Sequence, residues 1–222
     1  SKPDITSPEE AGAFIKKIRS ILRFLGTCDG NMEQGSLRCD VNVSVKKSGD
    51  PLGTRCEIKN LNSVRFVMQS IVTEARRQVE EIENGNEIIQ ETRLFDSVKG
   101  ETRSMRSKEN AHDYRYFPDP DLLPLEVTDE FINQVKSEIP ELPDDKKKRF
   151  IDEFKVSPYE ATILVSDIDT AKYFEEVVAK MGKNRDMKLA VNWITGELFA
   201  VLNNKNIEIT HSPISAKNLA KL

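Results

Sequence analysis

Histidine, tryptophan and cysteine are scarce in this sequence, and their scarcity removes several kinds of chemistry at the outset. The 222 residues include two histidines, one tryptophan and three cysteines. Cys28, Cys39 and Cys56 form no C-x-x-C pair and neither histidine stands near them, so a structural zinc site is not expected. An odd, unclustered set fits reduced thiols that pack as small apolar side chains. No window approaches the ~18 uncharged apolar residues of a membrane helix. The opening Ser-Lys-Pro-Asp-Ile-Thr lacks the apolar stretch of a signal peptide. Excess positive charge is missing too: the net charge of −4 argues against a protein that simply coats nucleic acid. Basic residues still gather locally at Arg103, Arg106, Lys108 and Arg115, and again from Lys146 to Arg149. What is present is 38% apolar and 32% charged, the profile of a globular, well-solvated chain with room for one large or two modest domains.

The first element is punctuated as a helix. Ser7 can cap it, Pro8 suits the first turn, Glu10 completes a Ser-x-x-Glu box and Gly26 stops it. Phe14, Ile18, Ile21, Leu22 and Leu25 are its expected apolar face. After the turn Asp29-Gly30-Asn31, residues 37–45 alternate strictly, with Leu37, Cys39, Val41, Val43 and Val45 on one side and Arg38, Asp40, Asn42 and Ser44 on the other. A second strand over 54–59, with Cys56 and Ile58 opposed to Arg55, Glu57 and Lys59, predicts an antiparallel hairpin around a loop at Ser48-Gly49-Asp50-Pro51. Residues 63–83 predict a long helix with Val64, Val67, Met68, Ile71, Ala75, Val79 and Ile82 inward, closed by Asn84-Gly85. Residues 86–127 are mixed, with a strand-like run over 87–90, and Pro118-Asp119-Pro120-Asp121 is a plausible domain boundary. Short helices follow over 131–139, 144–154, 159–165, 170–181 and 187–202, with Thr128, Ser157 and Ser215 as caps. Trp193 falls on an apolar helical stripe and is expected in the core, and the run Lys146–Arg149 is expected on a solvated face.

Chemistry is densest on the hairpin. A turn centred near residue 49 or 50 puts Glu57 opposite Asn42, with Asp40 a diagonal neighbour on the same face. Two carboxylates, an amide, a hydroxyl and two or three cations then share one patch. Magnesium takes oxygen ligands of this type together with substrate phosphates, and lysine or arginine balances the phosphate charge. The same pattern, taken alone, also describes a solvated sheet laced with cross-strand ion pairs, and that plainer description fits it better. A second constellation, Met105 to Phe117, is rich in His, Asp, Arg and Tyr; it reads either as a ligand- or RNA-contacting segment or as a packed interdomain stretch.

Three runs resemble the B-subunit family of tRNA-dependent amidotransferases, GatB. They are Asp29-Gly30-Asn31-Met32-Glu33-Gln34-Gly35-Ser36-Leu37-Arg38-Cys39-Asp40-Val41-Asn42, Glu57-Ile58-Lys59-Asn60-Leu61-Asn62-Ser63, and His112 to Phe117 with its Pro-Asp-Pro-Asp sequel. The resemblance extends from Pro3 to Leu222. It implies an α+β fold: the antiparallel-sheet part of the family's kinase-like catalytic cradle over 1–127, followed by an all-α helical domain over 128–222. It further implies an ATP- and magnesium-dependent ligase that works in a heterotrimer with an amidase A subunit and a small C subunit in the cytoplasm. In that family ATP phosphorylates the side-chain carboxylate of Glu-tRNA(Gln) or Asp-tRNA(Asn), and ammonia from the A subunit displaces the phosphate. By motif, the metal-binding carboxylates fall on Asp40 and Glu57 and a catalytic lysine on Lys59, while Arg38, Asn42 and Ser44 are candidates for nucleotide or substrate contact.

The chain departs from the family at Glu33-Gln34, where two acids are usual, and at Asn110, often Glu. The family's N-terminal part with its Glu-x-His motif and its tRNA-gripping C-terminal tail are expected to be lacking, which makes this a fragment without activity of its own. The alternative to an enzyme subunit is a docking module for tRNA or partner subunits. An archaeal-type, Glu-specific relative carries an inserted domain, and the direct passage from Pro118 to Thr128 speaks against it.

Overall fold

The computed structural model describes residues 1–107, 120–182 and 186–222. The run His112 to Phe117, together with Asn110, therefore lies outside the described residues. The chain divides into two compact units, Ser1–Arg19 with Asp29–Ile132, and Ser20–Cys28 with Asn133–Leu222.

The first unit is α+β. Helix α1 (Pro8–Phe24) begins as its sequence predicts: the Glu10 amide donates to Ser7 Oγ at 3.1 Å, while the Glu10 carboxylate accepts from the Thr6 amide at 2.8 Å. It ends at Gly26, whose φ of 70° lets Gly26 N–H reach Arg23 O and Thr27 N–H reach Leu22 O. The buried face carries Ala11 and Ile15, not Phe14, which is exposed. A Cβ at Gly12 would stand 2.8 Å from Met68 Sδ, so the small Ala11-Gly12 pair lets the helix approach that side chain closely.

Four strands form one mixed sheet in the order β1 (Val41–Val43), β2 (Cys56–Lys59), β3 (Glu91–Asp96), β4 (Glu101–Ser107). β1–β2 and β3–β4 are antiparallel, whereas β2–β3 is parallel, with helix α2 (Val64–Glu83) as the return connection. The first two strands are shorter than the alternation predicts. β2 stops because Asn60 turns left-handed (φ 69°), which leaves residues 37–39 nothing to pair with. The strand-like run 87–90 is not a strand; the ladder starts one residue later.

Helix α2 is capped by Ser63, whose Oγ accepts from the Phe66 amide at 3.1 Å. Its inward line is Val67, Ser70, Glu74 and Gln78, and Val79 and Ile82 are exposed. Hydrophobicity alone placed the stripe one side too far round: Ile71 and Ala75 are only half-buried, flanking a polar line spaced four residues apart.

The second unit is all-helical: α3 (Asp129–Glu138), α4 (Pro143–Phe154), α5 (Pro158–Leu164), α6 (Ile168–Lys180), α7 (Met187–Asn192), α8 (Phe199–Lys205) and α9 (Ala216–Leu219), with α3 starting in the first unit. Its core gathers Phe150, Leu164, Phe174, Val177, Val191 and Ile194. Thr128, Ser157 and Ser215 each cap a helix, Ser157 with a full capping box closed by Glu160. Between α7 and α8 one wide π-type turn spans Trp193–Leu198. It shifts the phase of the helix, so Ile194 and Leu198 go inside while Trp193 stays 41% exposed, against its expected place in the core. The basic run is not simply solvated either: Lys146 and Arg149 bind Glu141 and Glu175.

Candidate active site

Each signature run has a structural job before any chemical one. In the first, the Asp29 carboxylate accepts from the Asn31 amide at 2.8 Å and the Asn31 side chain accepts from the Gln34 amide at 3.0 Å. The Ser36 and Leu37 amides then close on Asn31 O, so 29–37 is a compact turn that delivers Arg38, Cys39 and Asp40 to β1. In the second, Asn60 donates from Nδ2 to Phe95 O at 3.3 Å, tying the end of β2 to β3, and Ser63 starts α2.

The pairing register is the one the sequence predicts. Val41 faces Ile58, Asn42 faces Glu57 and Val43 faces Cys56, which centres the hairpin between Gly49 and Asp50. Gly53 is required there by close approach, since a Cβ would stand 2.3 Å from Val45 O. Cys56 and Ile58 are buried in the face beneath α2. The opposite face therefore presents Asn42, Glu57 and Lys59, with Asp40 at its edge.

On that face the Lys59 ammonium joins both acids, donating to Asp40 Oδ2 at 2.8 Å and lying 3.3 Å from Glu57 Oε1. The hydrogen bond to Asp40 outweighs the opposing effect of burial and, with the weaker contribution of Glu57, holds the Lys59 ammonium above the usual lysine range. The second oxygen of Glu57 accepts a hydrogen bond from Thr92 Oγ1 at 3.2 Å. Asn42 is exposed beside Glu57, Ser44 is half-buried just beyond β1, and Arg38 is exposed on the approach to β1, outside the ladder. Register carries the face further: Lys59 pairs with Leu94 and Leu94 with Arg103, which sets an exposed arginine of β4 on the same row.

A cation thus already sits between Asp40 and Glu57, and the oxygen donors are of the hard type that suits magnesium. Among the described residues no group of three or more His, Cys, Asp or Glu side chains is placed to hold a metal. Thr92 escaped the sequence reading altogether; its only signal is a β-branched hydroxyl in a strand that the pattern did not reveal. A cavity of about 290 Å³ bounded by Val45, Gly53, Gln78, Ile82 and Ile88 lies on the α2 side of the hairpin, away from this chemistry.

Comparison with known proteins gives the arrangement a context. Residues 1–133 match the GatB/GatE catalytic domain and residues 172–222 a GatB domain. The whole chain is 77% identical over 223 residues to the B subunit of the aspartyl/glutamyl-tRNA(Asn/Gln) amidotransferase of Pelagibacter ubique. It is 61% identical over 223 residues to the protein of that name from Rhodospirillum rubrum, and 58% over 223 residues to that of Bradyrhizobium diazoefficiens. In each case the match takes in 100% of this chain and 45% of the relative, so the chain spans less than half the length of these proteins. Since the catalytic-domain match covers 1–133 of 222 residues, more than half, the chain belongs to the GatB/GatE family.

Proposed function

We propose that this chain is the part of an amidotransferase B subunit that helps to phosphorylate the side-chain carboxylate of Glu-tRNA(Gln) or Asp-tRNA(Asn). The observation that carries the reading is the Lys59 ammonium shared between Asp40 and Glu57 on the sheet face away from α2. Asp40 and Glu57 would hold magnesium, with further ligands from outside the described residues. When bound, that ion neutralises and orients the phosphates of ATP. Lys59, released from one or both carboxylates, turns to a phosphate oxygen, and Arg38 and Arg103 add positive charge at the rim. Asn42 and Ser44 offer an amide and a hydroxyl for nucleotide or substrate contact.

The chemistry needs positioning and charge neutralisation more than covalent help, and residues on a rigid sheet supply both. A free carboxylate is a poor acyl donor. Phosphorylation gives it a leaving group, which ammonia from an amidase A subunit displaces, within a cytoplasmic assembly that includes a small C subunit. The boundary between the catalytic and helical parts belongs at residues 127 and 128, after the segment of Leu122, Leu123 and Leu125. The exposure of those leucines, continued by Phe131 and Val135 on α3, favours a second reading in which the chain also, or only, docks partners.

The test uses the intact subunit in its complex, with Asp40→Ala and Glu57→Ala beside the wild type. ATP-dependent conversion of Glu-tRNA(Gln) and Asp-tRNA(Asn) is expected to fall about 10²-fold or more in each, with tRNA affinity kept. Normal conversion in both variants would leave the docking reading standing alone.

A further inference from the structure

Thr92 is almost wholly buried, at 1% exposure, yet it carries a hydroxyl. A valine would fill the same space and suit a strand equally well, and an unneeded buried hydroxyl is costly. This hydroxyl has a specific partner: Thr92 lies beside Glu57 in the parallel register and donates to its Oε2 at 3.2 Å. The other oxygen, Oε1, faces Lys59, and Lys59 in turn meets Asp40.

β3 runs unbroken through Thr92, and the one-residue register shift beside it falls at Met105 on the neighbouring β4. Directly after Thr92, Arg93 turns to the opposite face, where it lies 3.4 Å from Glu74 and donates to Thr102 O at 2.7 Å. The strand is thus clamped from the α2 side at the residue that follows Thr92. A β-branched side chain on a clamped strand has little freedom at χ1, so its hydroxyl is held in place before anything binds.

We infer that Thr92 is the positioning residue for Glu57: its buried hydroxyl holds Oε2 and thereby turns Oε1 toward Asp40, fixing the pair of oxygens that receives a divalent cation. The inference rests on the reading of Glu57 as a metal-holding carboxylate. Thr92 touches neither substrate nor metal; it acts through Glu57.

The experiment follows binding of Mn²⁺ as a magnesium probe to the intact subunit in its complex, by electron paramagnetic resonance and without turnover. The variants are Thr92→Val, Thr92→Ala and Thr92→Ser, with Glu57→Gln as the reference. Thr92→Val and Thr92→Ala are expected to weaken Mn²⁺ binding about 10-fold or more, within the range seen when a residue that orients a metal ligand is lost. Thr92→Ser, which keeps the hydroxyl, is expected to restore most of it. A merely structural role predicts a different order, in which the isosteric Thr92→Val binds like wild type and Thr92→Ala and Thr92→Ser share a defect; that order overturns the inference. If Glu57→Gln weakens Mn²⁺ binding while both hydroxyl-free variants bind normally, Thr92 loses its role and Glu57 keeps its own. If Glu57→Gln itself binds Mn²⁺ like wild type, the reading of Glu57 is wrong and the role of Thr92 falls with it.

Discussion

The interiors of the two units are built on different principles. Beneath α2 the sheet unit buries Ser70, Glu74, Gln78 and Arg93, and on the other face of the sheet it buries Thr92. Glu74, at 0% exposure, accepts from Arg77 Nη2 at 2.6 Å, Gln78 at 2.9 Å and Thr102 at 2.7 Å. Burial pushes its carboxyl upward, but those hydrogen bonds, with the Arg77 charge, outweigh it and hold the group below the usual carboxylate range. The helical unit instead packs Phe150, Phe154 and Phe174 with ring centroids 5.0–5.6 Å apart and keeps its ion pairs toward the rim. Thr170 is its one buried polar side chain among the described residues. An apolar core gains from any close packing of the right volume, whereas a buried polar network is satisfied in few arrangements. The unit that carries the candidate chemistry is the one whose interior tolerates least rearrangement.

The widest gap between the units should appear at Glu74. Glu74→Ala removes the buried acceptor shared by Arg77, Gln78 and Thr102 and leaves Arg93 with Glu91 as its one carboxylate partner among the described residues, and it is expected to cost about 3 kcal/mol in denaturant unfolding. A loss under about 1 kcal/mol would mean that the polar network does not hold α2 on the sheet. In the other core, Phe174→Leu keeps most of the apolar volume and should cost only about 1.5 kcal/mol, with α6 still formed. Equal losses in the two variants would erase the contrast.

The smallest effect concerns pH and the rim of the helical unit. The hydrogen bond from Arg149 is the main cause that holds the Glu141 carboxyl down at about 2, from 4.5, with Lys146 adding to it against burial. A carboxyl depressed on folding contributes stability that is present in full above 4.5 and is lost as pH falls toward 2. Unfolding followed across that window should show the loss, and Glu141→Gln should flatten it while lowering stability at neutral pH. An unchanged slope in Glu141→Gln would assign the acid sensitivity to other carboxylates.

Much of the hairpin was legible because two constraints coincided, the two-residue alternation of its strands and the turn residues around Gly49. Together they fix Asn42 against Glu57, and the diagonal place of Asp40 follows. Helix caps were legible for a similar reason, since Ser7, Thr128, Ser157 and Ser215 act within a few residues of themselves. What failed was tertiary. The inward line of α2 is polar because its partners, Arg93 and Thr102, arrive from strands far along the chain. Trp193 is half outside because one π turn changes the phase of a helix, and no local residue announces it. Thr92 could not be singled out while β3 itself was unrecognised.

The parallel β2–β3 pairing also imposes an order in time. Asp40 and Lys59 are separated by 19 positions across a hairpin and can meet as soon as the turn closes. Glu57 and Thr92 are separated by 35, and they meet only after α2 has carried the chain back to the start of the sheet. On a ribosome adding about 5–20 residues per second, that interval is about 2–7 s. For those seconds the nascent chain carries the acids and their lysine without the hydroxyl that aims them, so the last contact to form is the one that gives the face its orientation.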